Sequence, residues 1–195
     1  MSVLGLTSLM SQTDCFSSLI THYSSLIPYP YLRQEKMTGA ETVEVVPFRI
    51  EFAPIFAALN REWIERYFVI EEADLQIFKD PFAAIVKPGG QIFFAILGDE
   101  VLGTCSVIRQ DSRVYELAKM AVSPQARGRG LGSRLIKAAI DFARAAGAET
   151  LMLLSNSRLE PALRLYEKSG FRYVPVGHTH DYSRVDVQME LNLKA

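Results

Sequence analysis

The hydrophobic and polar positions of this chain change their period from segment to segment, and each period predicts an element. Residues 43–52 alternate between apolar and polar side chains, which predicts a first β-strand. From Pro54 as far as Tyr67 the apolar residues recur at helical spacing. A second, shorter helix is predicted over residues 72–78.

Three apolar segments then follow in quick succession, at residues 91–97, 101–109 and 114–122. Only short polar stretches, residues 98–100 and 110–112, separate them. Connections this short join strands that run in opposite directions, so the sequence predicts an antiparallel meander.

An amphipathic helix is predicted next, over residues 131–146, because its apolar positions lie on one face and its charged positions lie opposite. The strand predicted after it, residues 150–154, should run parallel to residues 114–122. A helical crossover returns the chain in the same direction, so a single strand-helix-strand unit is expected here.

The last predicted helix opens at Pro161 and closes at Gly170. Two further strands, near residues 171–176 and 185–193, finish the chain. With 195 residues, 49% of them hydrophobic, the chain can build one domain with a full core. The predicted fold class is α/β.

Charge and composition exclude several classes of function. The net charge of −1 argues against a nucleic-acid partner, because neutralising several phosphates requires an excess of Lys and Arg. No apolar run approaches the roughly 18 residues that a membrane-spanning helix needs, so no membrane association is expected. Cys15 and Cys105 stand far apart without metal-ligand spacing, which predicts no metal site and suits a reducing cytoplasm.

The amino-terminal residues differ from the rest of the chain. Residues 1–36 are rich in Ser, carry few charges and show no sustained period. Residues 1–42 are therefore expected to be an N-terminal extension, either disordered or upstream of a natural start at Met37. Residues 43–195 are expected to form the functional domain.

A glycine-rich stretch, residues 127–132, connects the strand that ends at Val122 with the helix that begins at Leu131. Glycines let a phosphate group approach the backbone closely, and the first turn of a helix leaves about four N–H groups without intrahelical partners. These amides, the helix dipole and the flanking Arg127 and Arg129 favour a pyrophosphate ligand.

Two well-known phosphate motifs do not fit this stretch. A P-loop requires Lys followed by Ser or Thr after its last glycine, but Gly132 is followed by Ser133 and Arg134. A dinucleotide fingerprint requires an acidic residue after the next strand, but that strand ends in Ser155 and Asn156. A nicotinamide or flavin cofactor is therefore disfavoured.

The stretch instead resembles the signature of the GNAT superfamily of N-acetyltransferases: Arg or Gln, two residues, Gly, one residue, then Gly or Ala. Arg127, Gly130 and Gly132 match this signature. A second register, beginning at Gln125, also fits, but the first one places Leu131 at the helix start. A separate match, the family's Tyr, three residues, Gly-Phe, lies at residues 166–171, and the resemblance covers about residues 43–193.

This resemblance implies a mixed, mostly antiparallel sheet with one parallel, splayed strand pair and helices on both faces. It also implies an acyl-CoA-dependent N-acyltransferase that uses acetyl-CoA as co-substrate and no metal. The amine of a small molecule or peptide would attack directly in a ternary complex. A homodimer is compatible with the family. The competing hypotheses are a catalytically silent acyl-CoA sensor and an interaction module without coenzyme.

By the same resemblance, the end of the strand before the glycines contacts pantetheine and the glycine stretch holds pyrophosphate. The residues implied for pantetheine are Met120, Ala121 and Val122. The residues implied for pyrophosphate are Arg127, Gly128, Arg129, Gly130, Leu131, Gly132 and Ser133.

Two side chains are candidates for catalysis and one more for coenzyme binding. Tyr166 occupies the position where the family commonly places a general acid near the coenzyme sulfur, although a buried aromatic is the alternative. By simple alternation Glu116 shares a face with Met120 and Val122 and could be the general base; otherwise it faces solvent or forms an ion pair. A strand bulge would reverse that assignment. Asn156 would reach the coenzyme or merely form a turn.

Other polar residues carry weaker hypotheses. His178 and His180 could form a metal pair or supply a base, but without a third ligand a loop role is favoured. Glu71, Glu72 and Asp74 could attract a cationic amine or simply begin a solvated helix. Asp186 and Glu190 on the last strand are equally ambiguous.

Overall fold

The structure is a computed structural model, which describes residues 42–177 and 181–194. The strands are β1 Val43–Pro47, β2 Gln91–Leu97, β3 Glu100–Arg109, β4 Val114–Val122, β5 Thr150–Ser155, β6 Arg172–Val174 and β7 Val187–Asn192. The helices are α1 Ala53–Tyr67, α2 Glu72–Lys79, α3 Leu131–Ala145 and α4 Glu160–Lys168. Short 3₁₀ turns at Ile50–Phe52 and Pro124–Ala126 and a π turn at Phe82–Val86 complete these elements.

The seven strands form one sheet in the order β1-β2-β3-β4-β5-β7-β6. Every neighbouring pair is antiparallel except β4 and β5, which run parallel as the crossover through α3 predicts. The parallel register is short. It joins Val114 to Thr150, Tyr115 to Leu151 and Glu116 to Met152.

Helices cover both faces of the sheet, as expected. On one face α3 and α4 bury a stripe that includes Leu131, Leu135 and Leu163 against β3, β4 and β5. On the other face α1 and α2 pack Phe56 and Phe78 against β2. Full burial of a side chain such as Leu135 stabilises the fold by about 1.5–3 kcal/mol. The predicted mixed α/β fold with one parallel pair is confirmed.

Some of the predicted strands are longer than the observed ones. The first strand ends at Pro47, because proline has no N–H to continue a ladder, and the chain then turns through Ile50–Phe52. Ile50, which was predicted to lie within the strand, is 70% exposed. The last two strands are also shorter than predicted, at Arg172–Val174 and Val187–Asn192.

Within residues 42–177 and 181–194, none of the helices is both long enough and apolar enough to cross a lipid bilayer.

Candidate functional site

A cleft opens where β4 and β5 separate. The two parallel strands are paired only as far as Glu116 and Met152, although β4 continues to Val122 and β5 to Ser155. Beyond the last pair, the β5 side of β4 has no ladder partner. A cavity of about 640 Å³ occupies this gap and extends from the glycine loop to α1 and the carboxyl-terminal segment.

The glycine loop closes one end of the cavity. Gly128 and Gly130 have φ angles of 77° and 79°, in the left-handed region that L side chains rarely adopt. Gly130 is the N-cap of α3, and its carbonyl accepts the first helical hydrogen bond, from the Arg134 N–H. The amides of the first turn of α3 therefore have no intrahelical partner, and this turn lines the cavity.

Gly132 has a packing role that differs from those of the other two glycines. A Cβ atom built on it would lie 2.8 Å from Leu165 Cδ2 and 3.3 Å from Met120 Cε. Glycine here lets the first turn of α3 approach both α4 and the end of β4. At Gly128 and Gly130, in contrast, an added Cβ would meet no atom within 4 Å.

A β-bulge interrupts β4 at Lys119. The register passes from Ser106 opposite Ala118 to Thr104 opposite Ala121, so two residues of β4 face one residue of β3. Lys119 adopts a positive φ of 48°, which is unusual for a residue other than glycine.

The bulge corrects the prediction that Glu116 shares a face with Met120 and Val122. Those two side chains pack in the same cluster as Leu117, on the α3 side of the sheet. Lys119 points the other way, where it interacts electrostatically with Glu116. Simple alternation failed because the bulge shifts the period by one residue.

Lys119 is held in a buried ionic cluster. Its Nζ donates to Asp74 Oδ1 at 2.7 Å and to the Tyr182 hydroxyl at 2.7 Å. Asp74 is 0% exposed and Lys119 is 8% exposed. Burial lowers the pKa of Lys119, and the hydrogen bond to Asp74 opposes that shift.

Arg184 adds a second cation to this cluster. Its guanidinium donates to both carboxylate oxygens of Asp74 at 2.8 Å and to Glu71 Oε1 at 2.9 Å. Asp74 also accepts from the Glu71 N–H, as part of a capping box that starts α2. Burial alone would raise the pKa of Asp74, but the hydrogen bonds from Arg184 and Lys119 outweigh it and lower the pKa.

This arrangement corrects both hypotheses for the start of α2. Glu71 and Asp74 are neither a solvated helix start nor carboxylates free to attract an amine, because Arg184 and Lys119 already bind them. Of the three acidic residues considered there, only Glu72 is exposed. The sequence offered no signal for this cluster, since its members lie 45 and 110 positions apart.

Glu116 lines the cavity on the same side as this cluster. Its Oε2 accepts a hydrogen bond from Gln110 Nε2 at 2.6 Å. Burial raises the pKa of Glu116, while the charge of Lys119 and the Gln110 hydrogen bond partly oppose the shift. A carboxylate with a raised pKa is better matched to proton acceptance near neutral pH.

Tyr166 lies on α4, against the opposite wall of the cavity. It is 9% exposed and its ring meets Phe171 in an edge contact, with 6.0 Å between centroids. Burial raises the pKa of Tyr166, and the neighbouring Cys105 thiol adds to the shift. The hydroxyl therefore remains protonated at neutral pH.

The remaining candidates form hydrogen bonds within the protein. Asn156 lines the cavity, but its Nδ2 donates to the Arg184 carbonyl at 2.7 Å and its Oδ1 accepts from the Arg158 N–H at 2.9 Å. Asp186 accepts from both the N–H and the hydroxyl of Ser157 at 2.7 Å. Glu190 Oε1 accepts a hydrogen bond from Gln188 Nε2 at 3.2 Å. His178 and His180 lie outside the described residues.

An aromatic wall of the cavity, contributed by the end of α1, was missed by the sequence analysis. Trp63 and Tyr67, at the end of α1, and the following Phe68 line the cavity. The Arg158 guanidinium lies over the Phe68 ring, 5.4 Å from its centroid, and donates to the Tyr67 carbonyl at 3.2 Å. Helical spacing was the only sequence signal, and it does not distinguish a cavity wall from a core stripe.

Comparisons with known proteins agree on one family. The family profile described as acetyltransferase (GNAT) family matches residues 53–171, more than half of the chain. A sequence relative is the aminoalkylphosphonate N-acetyltransferase of Salmonella typhimurium. It is 33% identical over 107 residues, which cover 52% of this chain and 70% of that protein.

Solved structures show the same fold. A GNAT-family acetyltransferase from Staphylococcus aureus superposes with a TM-score of 0.73 at 19% identity, over 78% of this chain and all of that one. A GNAT-family acetyltransferase from Elizabethkingia anophelis with acetyl-CoA bound gives a TM-score of 0.59 at 16% identity, over 78% and 99% of the two chains.

Proposed function

Because this chain belongs to the acetyltransferase (GNAT) family and is an N-acetyltransferase, we propose that it transfers an acetyl group from acetyl-CoA to an amine. The amine attacks the thioester directly in a ternary complex, without a covalent enzyme intermediate. The observation that carries the proposal is the cavity between β4 and β5, which begins at the open first turn of α3.

The glycine loop binds the pyrophosphate of the coenzyme. Gly128 and Gly130 adopt left-handed backbone conformations that present the N–H groups of residues 130–133, and the positive end of the α3 dipole favours an anion there. Arg127 and Arg129 flank the loop and add positive charge. Gly132 fits the site because any larger residue would push against Leu165 and Met120.

The pantetheine arm lies along the unpaired edge of β4, at Met120, Ala121 and Val122. This backbone lacks a ladder partner toward β5, so its polar groups are available to an amide-containing substrate. A backbone N–H near Ala121 or Val122 polarises the thioester carbonyl as negative charge develops on its oxygen. Asn156 reaches the same arm from the β5 side of the cavity.

Glu116 and Tyr166 divide the proton transfers. Glu116 accepts the proton of the attacking ammonium, directly or through water, and its raised pKa suits that role. Tyr166, on the opposite wall, donates a hydrogen bond or a proton to the departing thiolate. Because burial raises the pKa of Tyr166, its hydroxyl mainly donates a hydrogen bond, and the thiolate takes up the proton that the amine nitrogen releases as the amide forms.

The catalytic domain in this proposal is residues 43–195, and residues 1–42 are an extension of it. The family match at residues 53–171 lies wholly inside that domain and supports the division. The acceptor is the amine of a small molecule or a peptide.

The decisive experiment measures free thiol released from acetyl-CoA in the presence of a panel of amines, with mass spectrometry of the acetylated product. Isothermal titration with acetyl-CoA is run in parallel. Binding together with amine-dependent thiol release supports the proposal. Binding without release for any amine would replace it with an acyl-CoA sensor, and absence of binding would leave an interaction module.

A further inference from the structure

The acceptor side of the cavity is defined here as the side that holds Glu116, the base proposed for the acceptor amine. Two cations reach this side, and both already have carboxylate partners. Lys119 and Arg184 line the cavity wall. Lys119 is paired with Asp74, and Arg184 is paired with Asp74 and Glu71, at distances of 2.7 to 2.9 Å. Asp74 is completely buried, so these pairs are shielded from water and from salt.

The partners of these cations lie behind the wall, whereas a carboxyl group outside these ion pairs faces the cavity. Neither Glu71 nor Asp74 lines the cavity, and among the described residues Glu116 supplies its only carboxylate. Asp181 acts on Glu116 electrostatically and reinforces the negative potential there. The two cations at this end are therefore already matched by carboxylates, and Glu116 adds a further acidic group that faces the cavity.

An acidic group on the acceptor would be poorly accommodated at this end. It would meet the carboxyl group of Glu116, and Lys119 and Arg184 could pair with it only in competition with Asp74 and Glu71, which already compensate their charge. Separating a buried ion pair leaves a charge without compensation, and burying the acceptor's own charge unpaired is also unfavourable. Repulsion of this kind is how binding sites reject closely related ligands.

The part of the cavity wall contributed by α1 favours apolar substituents. Trp63, Tyr67 and Phe68 line it, and Trp63 and Phe68 meet edge to face with 6.3 Å between ring centroids. Arg158, outside the cavity, lies over the Phe68 ring and donates to the Tyr67 carbonyl, and these contacts hold the wall in place. Flat aromatic side chains offer large apolar area and can stack on an aromatic substituent.

We infer that the acceptor is an amine whose substituent is aromatic or aliphatic and carries no carboxylate, phosphate or phosphonate. This inference rests on the proposed function and specifies the acceptor of the same site. Asp74 is its specificity-determining residue, because it binds both cations that would otherwise recruit an acid.

The test compares 2-phenylethylamine with L-phenylalanine, which differ only by the α-carboxylate. Each is titrated calorimetrically into the protein saturated with coenzyme A, so binding is measured without turnover. We expect 2-phenylethylamine to bind at least about tenfold more tightly, a ratio that corresponds to roughly 1.4 kcal/mol. Equal or tighter binding of L-phenylalanine, or no binding of either compound, would overturn the inference.

Variants of the cluster then test the reason for the preference. In Asp74→Asn both cations lose their shared charge partner, so the ratio of the two affinities should fall toward one. The milder Glu71→Gln leaves Asp74 in place and should retain most of the preference. A preference unchanged in a folded Asp74→Asn protein would contradict the assignment. Failure of the proposed function is distinguishable, since it would appear as acceptor binding without thiol release from acetyl-CoA.

Discussion

Lys119 Nζ lies 2.7 Å from Asp74 Oδ1, and this buried contact joins the bulge of β4 to the first turn of α2. The bulge is what makes the contact possible, because regular alternation would place Lys119 on the other face of the sheet. The same ammonium also donates to the Tyr182 hydroxyl. One irregular backbone position thus fixes the part of the cavity wall formed by Lys119 and its partners.

Removing the Asp74 carboxylate should strongly destabilise the protein. Asp74→Ala leaves Lys119 and Arg184 buried without their shared partner, and the expected loss is about 3–5 kcal/mol in the free energy of unfolding. Urea unfolding followed by circular dichroism measures it. Asp141→Ala removes an exposed partner of Lys137 and should change stability by no more than about 0.5 kcal/mol. Similar losses in both variants would contradict the role of burial.

The same carboxylate makes the stability depend on pH. The folded-state pKa of Asp74 is lowered, so its contribution is fully present above the ordinary aspartate pKa of about 3.9 and is lost as the pH falls through the lower folded-state value. Asp74→Asn should therefore show a smaller loss of stability in that acid range. Melting temperatures measured between neutral and acid pH test this, and parallel curves for both proteins would refute it.

Replacing Glu116 separates a base from a structural residue. Its folded-state pKa is raised, so stability falls as the pH rises from the ordinary glutamate pKa to the raised value, and the full cost is present above it. Glu116→Gln should leave the melting temperature at neutral pH unchanged or higher, while kcat falls by about 10²–10⁴. The acid limb of the pH-rate profile should disappear with it. A lower melting temperature with an unaltered profile would indicate a structural role.

Tyr166→Phe should slow transfer more than it weakens binding. Among the described residues none forms a hydrogen bond with the Tyr166 hydroxyl, so its removal leaves no described partner unsatisfied. We expect kcat to fall about 10²-fold or more, with little change in the dissociation constant of acetyl-CoA. Tyr115→Phe, a buried tyrosine of the α3-side core, is the control and should keep its rate. A full-rate Tyr166→Phe enzyme would remove this hydroxyl from the mechanism.

Gly130→Asp should weaken acetyl-CoA binding by placing a carboxylate beside the pyrophosphate. The expected change in the dissociation constant is about tenfold or more, equivalent to roughly 1.4 kcal/mol. Gly147→Asp is a matched control, because Gly147 also has a positive φ, of 80°, and open space around an added Cβ, but it lies beyond the end of α3.

Both glycine substitutions impose a backbone cost of roughly 1–2 kcal/mol, so both should lower the melting temperature. Only Gly130→Asp should alter the affinity measured by calorimetry. Equal affinity for acetyl-CoA in the two variants would place the pyrophosphate elsewhere.

The sequence predicted those parts of the molecule that depend on local pattern. The strands β2 and β4 were predicted with their observed bounds, because alternation and short polar turns mark both ends. The positions of the glycine loop and α3 were predicted equally well, since both depend on residues that lie close together in the chain.

The face of Glu116 and the buried ionic cluster could not be predicted in the same way. The face of the sheet on which Glu116 lies depends on the bulge at Lys119, and no residue type in β4 indicates that bulge. The pairing of Asp74 with Arg184 depends on how the carboxyl-terminal segment folds over α2, which only the tertiary structure determines. Sequence patterns reveal periodicity, whereas these two features depend on a break in the period and on a contact between distant residues.

The separation of the cluster along the chain has a consequence for the order of assembly during synthesis. The glycine loop and α3 follow β4 directly and precede β5, so they are synthesised before β5 and the carboxyl-terminal segment. Arg184, 110 positions after its partner Asp74, emerges far later. The ion pair between Asp74 and Arg184 therefore forms only after the carboxyl-terminal segment has been synthesised, when the glycine loop and α3 are already part of the chain.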